Sequence, residues 1–251
     1  MLTTELIKIA IKAGELMLIS GAEIYRVEET VVRICKSYEI ECESFVLPTG
    51  IFISIIDELG NVQTSFKRIK QRTVDLNRID SVNTFSRGLK AAPLEYEAAM
   101  RKLEEIEGEK QYNIPVSLLS AAVGSFVFAM LFNGSFYDGA TAAIISIIAF
   151  LIKGSLHRKG FFPFFELFAT GLLVGILSYA ACRFFPDLNE YKIIIGAVML
   201  YLPGVAITNG IKDAFYGDLV ASSARLGEAI LTATALAAGV GIAITLGMNM
   251  G

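Results

Sequence analysis

The chain has 251 residues, 54% of them hydrophobic, with a net charge of −3 and three cysteines. A charge so close to neutral, with no dense basic patch, argues against a nucleic-acid partner. Cys35, Cys42 and Cys182 form no CxxC pair, so neither a metal site nor a disulfide framework is expected, and no cofactor motif appears.

Charges concentrate before Asn113, and repeated apolar runs follow. That split predicts a small cytosolic α+β domain over residues 1–110 and an α-helical membrane domain over 111–251. Glu5 and Glu15 interrupt the first apolar stretch, which does not read as a signal peptide. Leu2, Leu6, Ile9, Ala13, Leu16 and Met17 recur at helical spacing, predicting an amphipathic helix up to Ser20. A second helix is expected over 22–38, with Ile24, Val27, Val31, Ile34 and Tyr38 as its apolar stripe.

The period then changes. Residues 44–47, 51–57 and 62–68 read as strands, joined by turns at Pro48-Thr49-Gly50 and Glu58-Leu59-Gly60-Asn61. Helical spacing returns at Leu76, Ile79 and Val82, and Pro93 suits the first turn of a further helix carrying Leu94, Ala98, Leu103 and Ile106. The order is α-α-β-β-β-α-α, and Gly108 to Asn113 reads as a polar link into the membrane.

Five apolar segments follow, near 115–133, 138–153, 163–185, 191–208 and 224–247. Lys153, Arg158 and Lys159 lie between the second and third, and Lys212 and Arg225 between the fourth and fifth. That bias predicts a cytoplasmic N-terminus and an external C-terminus in the cell membrane; the uncharged tail Met248 to Gly251 does not oppose it. Gly171 and Gly175 in the third segment, and Gly227, Ala229, Ala233 and Gly239 near or in the fifth, form small faces that let helices approach closely.

The stretch from Tyr201 to Ala229 carries the polar chemistry of the membrane half. Its helix breaks at Pro203-Gly204, and freed backbone groups in hydrocarbon need protein or a water-filled cavity beside them. Asn209 and Asp213 share one face at i,i+4, Asp218 follows, and Arg225 and Glu228 can pair at i,i+3. Glu166 lies just inside the third segment. A zwitterionic solute needs a carboxylate for its ammonium and an Arg for its carboxylate, which Asp213 and Arg225 supply. The other reading of the same residues is a wet surface loop. A partly dry cavity would instead suit Asp213 to proton coupling.

In the soluble half, Arg26 and Glu28 sit on a charged helix face, which reads either as a solvated surface or as a ligand-reading one. With His157 as the single histidine and no nucleophile elbow, zinc motif or phosphate loop, an enzyme is not expected. A membrane-anchored enzyme or sensor acting through this domain remains the alternative of another class.

GAEIYRVEETVVRI (Gly21 to Ile34), LPTGIFISI (from Leu47) and RTVDLNRIDSVN (Arg72 to Asn83) resemble the N-terminal domain of the threonine/serine exporter family. LPGVAITNGIKDAFYGDLVASSARLGEAIL, from Leu202, is similar to that family's membrane motif. The resemblance implies a secondary transporter exporting small hydroxy-amino acids, driven by the proton gradient. It marks the chain as the larger partner of the split form, completed by a second, shorter membrane protein; a homo-oligomer is the other assembly. Some split members are associated with dicarboxylates such as succinate.

Overall fold

The computed structural model describes residues 2–56, 60–109 and 112–250. Asp57, Glu58 and Leu59 of the expected second turn, Lys110 and Gln111 of the expected link, and Gly251 of the tail lie outside the described residues. The chain divides into two compact units, Met1–Lys110 with Val205–Gly227, and Gln111–Gly204 with Glu228–Gly251.

The first unit begins with α1 (Thr3–Ile19) and α2 (Ile24–Lys36). Leu6, Ile9, Leu16, Met17 and Leu18 of α1 are fully buried, each worth roughly 1.5–3 kcal/mol relative to exposure. Gly21 adopts φ +86°, and a Cβ there would strike the Thr73 carbonyl, so glycine both ends α1 and lets a second segment close on it. Thr73 and Asp75 donate their amides to Ile19 and Ser20, which satisfies the carbonyls at the end of α1.

Strands β1 (Cys42–Leu47), β2 (Gly50–Ile56) and β3 (Val62–Arg68) form an antiparallel meander in the order β1-β2-β3. Val46, Ile51, Ile53 and Ile55 face the core, and Phe45, Phe52 and Phe66 stand in register on the other face. Helices α3 (Leu76–Ala91) and α4 (Tyr96–Gly108) complete the sequence α-α-β-β-β-α-α. Asp75 caps α3 by accepting from the Arg78 amide at 3.0 Å. Pro93 does not open α4, contrary to expectation. The residue before a proline is driven out of the helical region, and Ala92 is extended (φ −145°, ψ 91°), so the proline separates α3 from α4 instead. Cys35 and Cys42 are free thiols hydrogen-bonded to one another.

The second unit holds α5 (Ile114–Leu131), α6 (Phe136–Arg158), α7 (Pro163–Phe184) and α8 (Glu190–Val198). One face of α5 leaves Leu119, Val123, Val127 and Leu131 bare, which suits hydrocarbon and not water. A capping box of Ser135 and Asp138 starts α6. Asp138 is buried and also accepts from the Asn189 amide at 2.7 Å, tying down the loop before α8. The segment expected over 191–208 is divided. Helix α8 and a 3-10 turn at Met199–Tyr201 end at Leu202 and Pro203, and α9 (Gly204–Phe215) begins beyond them. The last helix, α10, runs from Leu219 to Met250, beginning in the first unit and continuing through the second.

Gly171 and Gly239 make the close approach that small residues permit. A Cβ on Gly171 would run into the Leu236 carbonyl, and one on Gly239 into the Phe168 carbonyl, so α7 and α10 pack backbone to backbone. Among the described residues four helices are long and apolar enough to cross a membrane, and a fifth span exists if α8 and α9 count as one broken helix. At about 1.5 Å per residue, α8 with its 3-10 turn reaches only about 18 Å, short of the roughly 30 Å of a hydrocarbon core.

Candidate functional site

Within the first unit, the start of α2 lacks its own cap. Glu23 holds the N-cap position, but its side chain makes no cap hydrogen bond to a backbone amide of the helix's first turn. A helix start leaves amides without partners, and carries a partial positive charge. Here the cap comes from far along the chain. The Ile24 amide donates to Asp213 Oδ1 on α9 at 3.1 Å.

The neighbouring carbonyls are read in the same way. Asn209 Nδ2 donates to the Gly21 carbonyl at 2.8 Å, and Arg225 Nη2 to the Ala22 carbonyl at 2.6 Å. Asn209 and Asp213 reach one place because four residues separate them on α9, and Gly210 lets α9 close on Arg225 and Leu226 of α10. Arg225 Nε stands 2.9 Å from Asp213 Oδ2, with side chains 6% and 0% exposed. Of the two readings of this stretch, a wet loop or a partly dry place, the burial of Asp213 speaks for the second. A buried pair of this kind persists only when hydrogen bonds satisfy the remaining atoms, and the loop before α2 supplies them.

Two outer contacts flank the pair. Lys212 Nζ meets Glu23 Oε1 at 3.0 Å, and Tyr25 stacks on Tyr216 at 3.9 Å between centroids. Arg26 reaches Glu23 at 3.3 Å. Glu28 accepts from the Val46 amide at 2.9 Å, linking α2 to β1. Burial pushes its carboxyl above the ordinary range, against that hydrogen bond and with the nearby Asp218 charge adding to the rise. Asp218 itself is half-buried in the turn between α9 and α10.

Pro203 and Gly204 form the break itself, and Glu228 is exposed on α10. Glu166 is buried at the start of α7 and meets His157 Nδ1 at 3.0 Å. Pro48 and Thr49 make the turn between β1 and β2, and the Thr49 carbonyl accepts from the Ile69 amide. Gly50 is crowded by the Phe66 ring, so these three residues shape the sheet. Sequence reasoning passed over Gly21, Ala22, Glu23, Tyr25 and Tyr216 as members of the cluster. It also passed over Asp138, whose Ser-x-x-Asp spacing was the available signal.

Glu23 gives the cluster a pH dependence. Burial pushes its carboxyl up, but its own backbone amide, the Lys212 hydrogen bond and the charges of Arg26 and Lys212 outweigh that. The net position is below the ordinary carboxylate value of 4.5. A depressed folded-state pKa contributes stability that is present above the unfolded value and lost as pH falls through the folded one. Glu23→Gln is therefore expected to lower the thermal midpoint of the chain at pH 7, with the gap to wild type closing below about pH 4. The effect stays near 1 kcal/mol or less, because Lys212 is half-exposed and screened. Melting curves at pH 7 and pH 4 check it.

Long apolar helices with bare hydrocarbon-facing surfaces, one of them following a broken stretch, define a multi-pass membrane protein. The chain belongs to the threonine/serine exporter family, ThrE, whose sequence profile matches residues 8–247. It is 22% identical over 256 residues to a Mycobacterium tuberculosis protein named "Probable threonine/serine exporter", covering 99% of this chain and 47% of that one. The chain thus spans about half the length of that relative. It is 26% identical over 245 residues to "Probable succinate transporter subunit YjjP" of Klebsiella aerogenes, covering 95% of this chain and 93% of that one. The Escherichia coli protein of the same name is 24% identical over 242 residues, with 95% and 93% covered. No solved structure matches the chain.

Proposed function

We propose that this chain is the larger, cytosolic-domain-bearing subunit of a proton-coupled exporter of small polar acids, with threonine and serine as the leading substrates. The observation that carries this reading is the buried pair of Asp213, on the helix α9 that begins after the break, and Arg225 on α10. With Asp213 ionised, a zwitterionic substrate parts the pair, its ammonium on Asp213 and its carboxylate on the planar fork of Arg225. A proton taken up by Asp213 from the outer side removes the anion that holds the ammonium and releases the substrate there. Loss of that proton to the cytoplasm restores the internal pair, so a proton enters as substrate leaves. In this cycle Asn209 and the carbonyls of Gly21 and Ala22 are polar groups that the moving helix leaves and regains.

A second reading has its own support. The relatives that match this chain along nearly their whole length are named as succinate transporter subunits, and the word subunit speaks for a partner. Succinate and the hydroxy-amino acids share the carboxylate that Arg225 would hold. The partner proposed is a shorter membrane protein, and the exposed small residues Ala237, Ala238 and Gly241 on α10 offer it a close-packing face. The lysine and arginine bias of the loops supports a cytoplasmic N-terminus and an external C-terminus as part of this proposal.

Counterflow of labelled threonine, serine and succinate into vesicles, with and without the partner protein, tests the proposal. Flux of at least one solute that requires both proteins is expected. Absence of flux for all three would overturn it, and the solute that moves fastest decides between the two readings.

A further inference from the structure

The outward face of the sheet is bare and apolar. Phe45, Phe52 and Phe66 are 59%, 39% and 53% exposed, and Ile56 and Val62 are exposed further along, beyond the Ser54–Thr64 pair. Phe52 stacks on Phe66 with centroids 4.6 Å apart and lies 6.2 Å from Phe45, so the rings form one continuous row. With an aromatic side chain offering roughly 150–250 Å², the row of three rings leaves about 300 Å² uncovered. That is the size of the largest apolar patch on a typical monomer, roughly 300–600 Å², and such patches are often functional.

The register gives this face a symmetry. Phe45, Phe52 and Phe66 are direct cross-strand partners. Glu43 lies two residues before Phe45 on β1, and Arg68 two residues after Phe66 on β3, both exposed on the same face. Because β1 and β3 run in the same direction, these two charges sit at diagonally opposite corners with Phe52 midway between them. A two-fold axis in the plane of the face, passing over Phe52 and perpendicular to that diagonal, sets Glu43 of each copy against Arg68 of the other. The rings then pack on rings. Two copies of the ring row cover about 600 Å², and the polar rim of Glu43, Ser54, Thr64 and Arg68 carries the total toward the roughly 1,000 Å² at which a specific interface begins.

We propose that this face binds a second copy of the chain, sheet against sheet, about that two-fold axis. The acidic corner speaks against an anionic lipid surface as the occupant, since it would be repelled where Arg68 is drawn in. The pairing is isologous, as closed two-fold dimers require. It uses no residue of the Asp213 cluster and does not depend on the transport reading.

The test uses the full chain, purified in detergent and weighed as single particles across a range of concentrations. Wild type is expected to dimerise. Glu43→Arg and Arg68→Glu each set like charges against each other at both corners, and are expected to weaken the dimer roughly tenfold or more. The double variant exchanges the corners, and is expected to restore the dimer. An equimolar mixture of the two single variants is expected to form heterodimers, because each then meets an opposite charge. Phe52→Cys is expected to cross-link to its mate in membrane vesicles with a short bismaleimide, above the level given by the three native cysteines. A chain that stays monomeric, a dimer indifferent to both single variants, or a Phe52→Cys thiol that reacts only with lipid-borne reagent or a different protein overturns the proposal.

Discussion

Arg225→Met is expected to cost the cluster about 3–5 kcal/mol, because it strands the Asp213 carboxylate in a buried place without its counter-charge. Asp213 would keep the Ile24 amide, and one neutral donor does not offset the loss of a guanidinium. The Ala22 carbonyl would lose its donor as well. The loop that leads into α2 is where this appears first, so hydrogen exchange of a peptide spanning Gly21 to Val27 is the appropriate readout. Protection there is expected to fall by roughly 10²–10⁴-fold, while the peptides of β2 and α1 keep theirs. Adding Asp213→Asn to Arg225→Met should return most of the protection, since a neutral amide no longer needs a cation. Unchanged exchange in the single variant would mean that the pair contributes nothing to holding the α2 start.

How much of this was legible before the structure depends on what each signal is made of. Apolar periodicity revealed the two-helix, three-strand, two-helix order of the first 110 residues, because side chains at period 3.6 or 2 write that order directly. The break near Pro203 was legible for the same reason, since proline itself is the cause. Asn209 and Asp213 could be placed on one face from their spacing alone. Their partners could not be read. Asp213 caps the Ile24 amide, Asn209 meets the Gly21 carbonyl and Arg225 the Ala22 carbonyl, and backbone groups leave no mark in a sequence. Arg225 illustrates the difficulty from the other side. The structure pairs it with Asp213, twelve residues away across the turn between α9 and α10, a contact that no helical spacing announces. Pro93 shows a smaller failure. A proline suits a helix start and also forbids helix in the residue before it, and the second effect set the boundary.

The second large effect is on transport. Asp213→Asn keeps the shape of the side chain and its acceptor for the Ile24 amide, but removes both the charge and the titration. Arg225 would then be permanently without its internal anion and open to a substrate carboxylate. Exchange of internal for external solute needs only that binding and the movement of the site. Export driven by a proton gradient needs a group that changes charge once per cycle. In vesicles holding this chain and the proposed partner protein, efflux driven by an imposed pH gradient is the measurement, run beside solute–solute exchange for wild type, Asp213→Asn and Arg225→Met. The account predicts that Asp213→Asn loses proton-driven efflux by roughly tenfold or more while retaining exchange of the wild-type order, and that Arg225→Met loses both. Wild-type efflux by Asp213→Asn at every pH would contradict it and remove Asp213 from the coupling step.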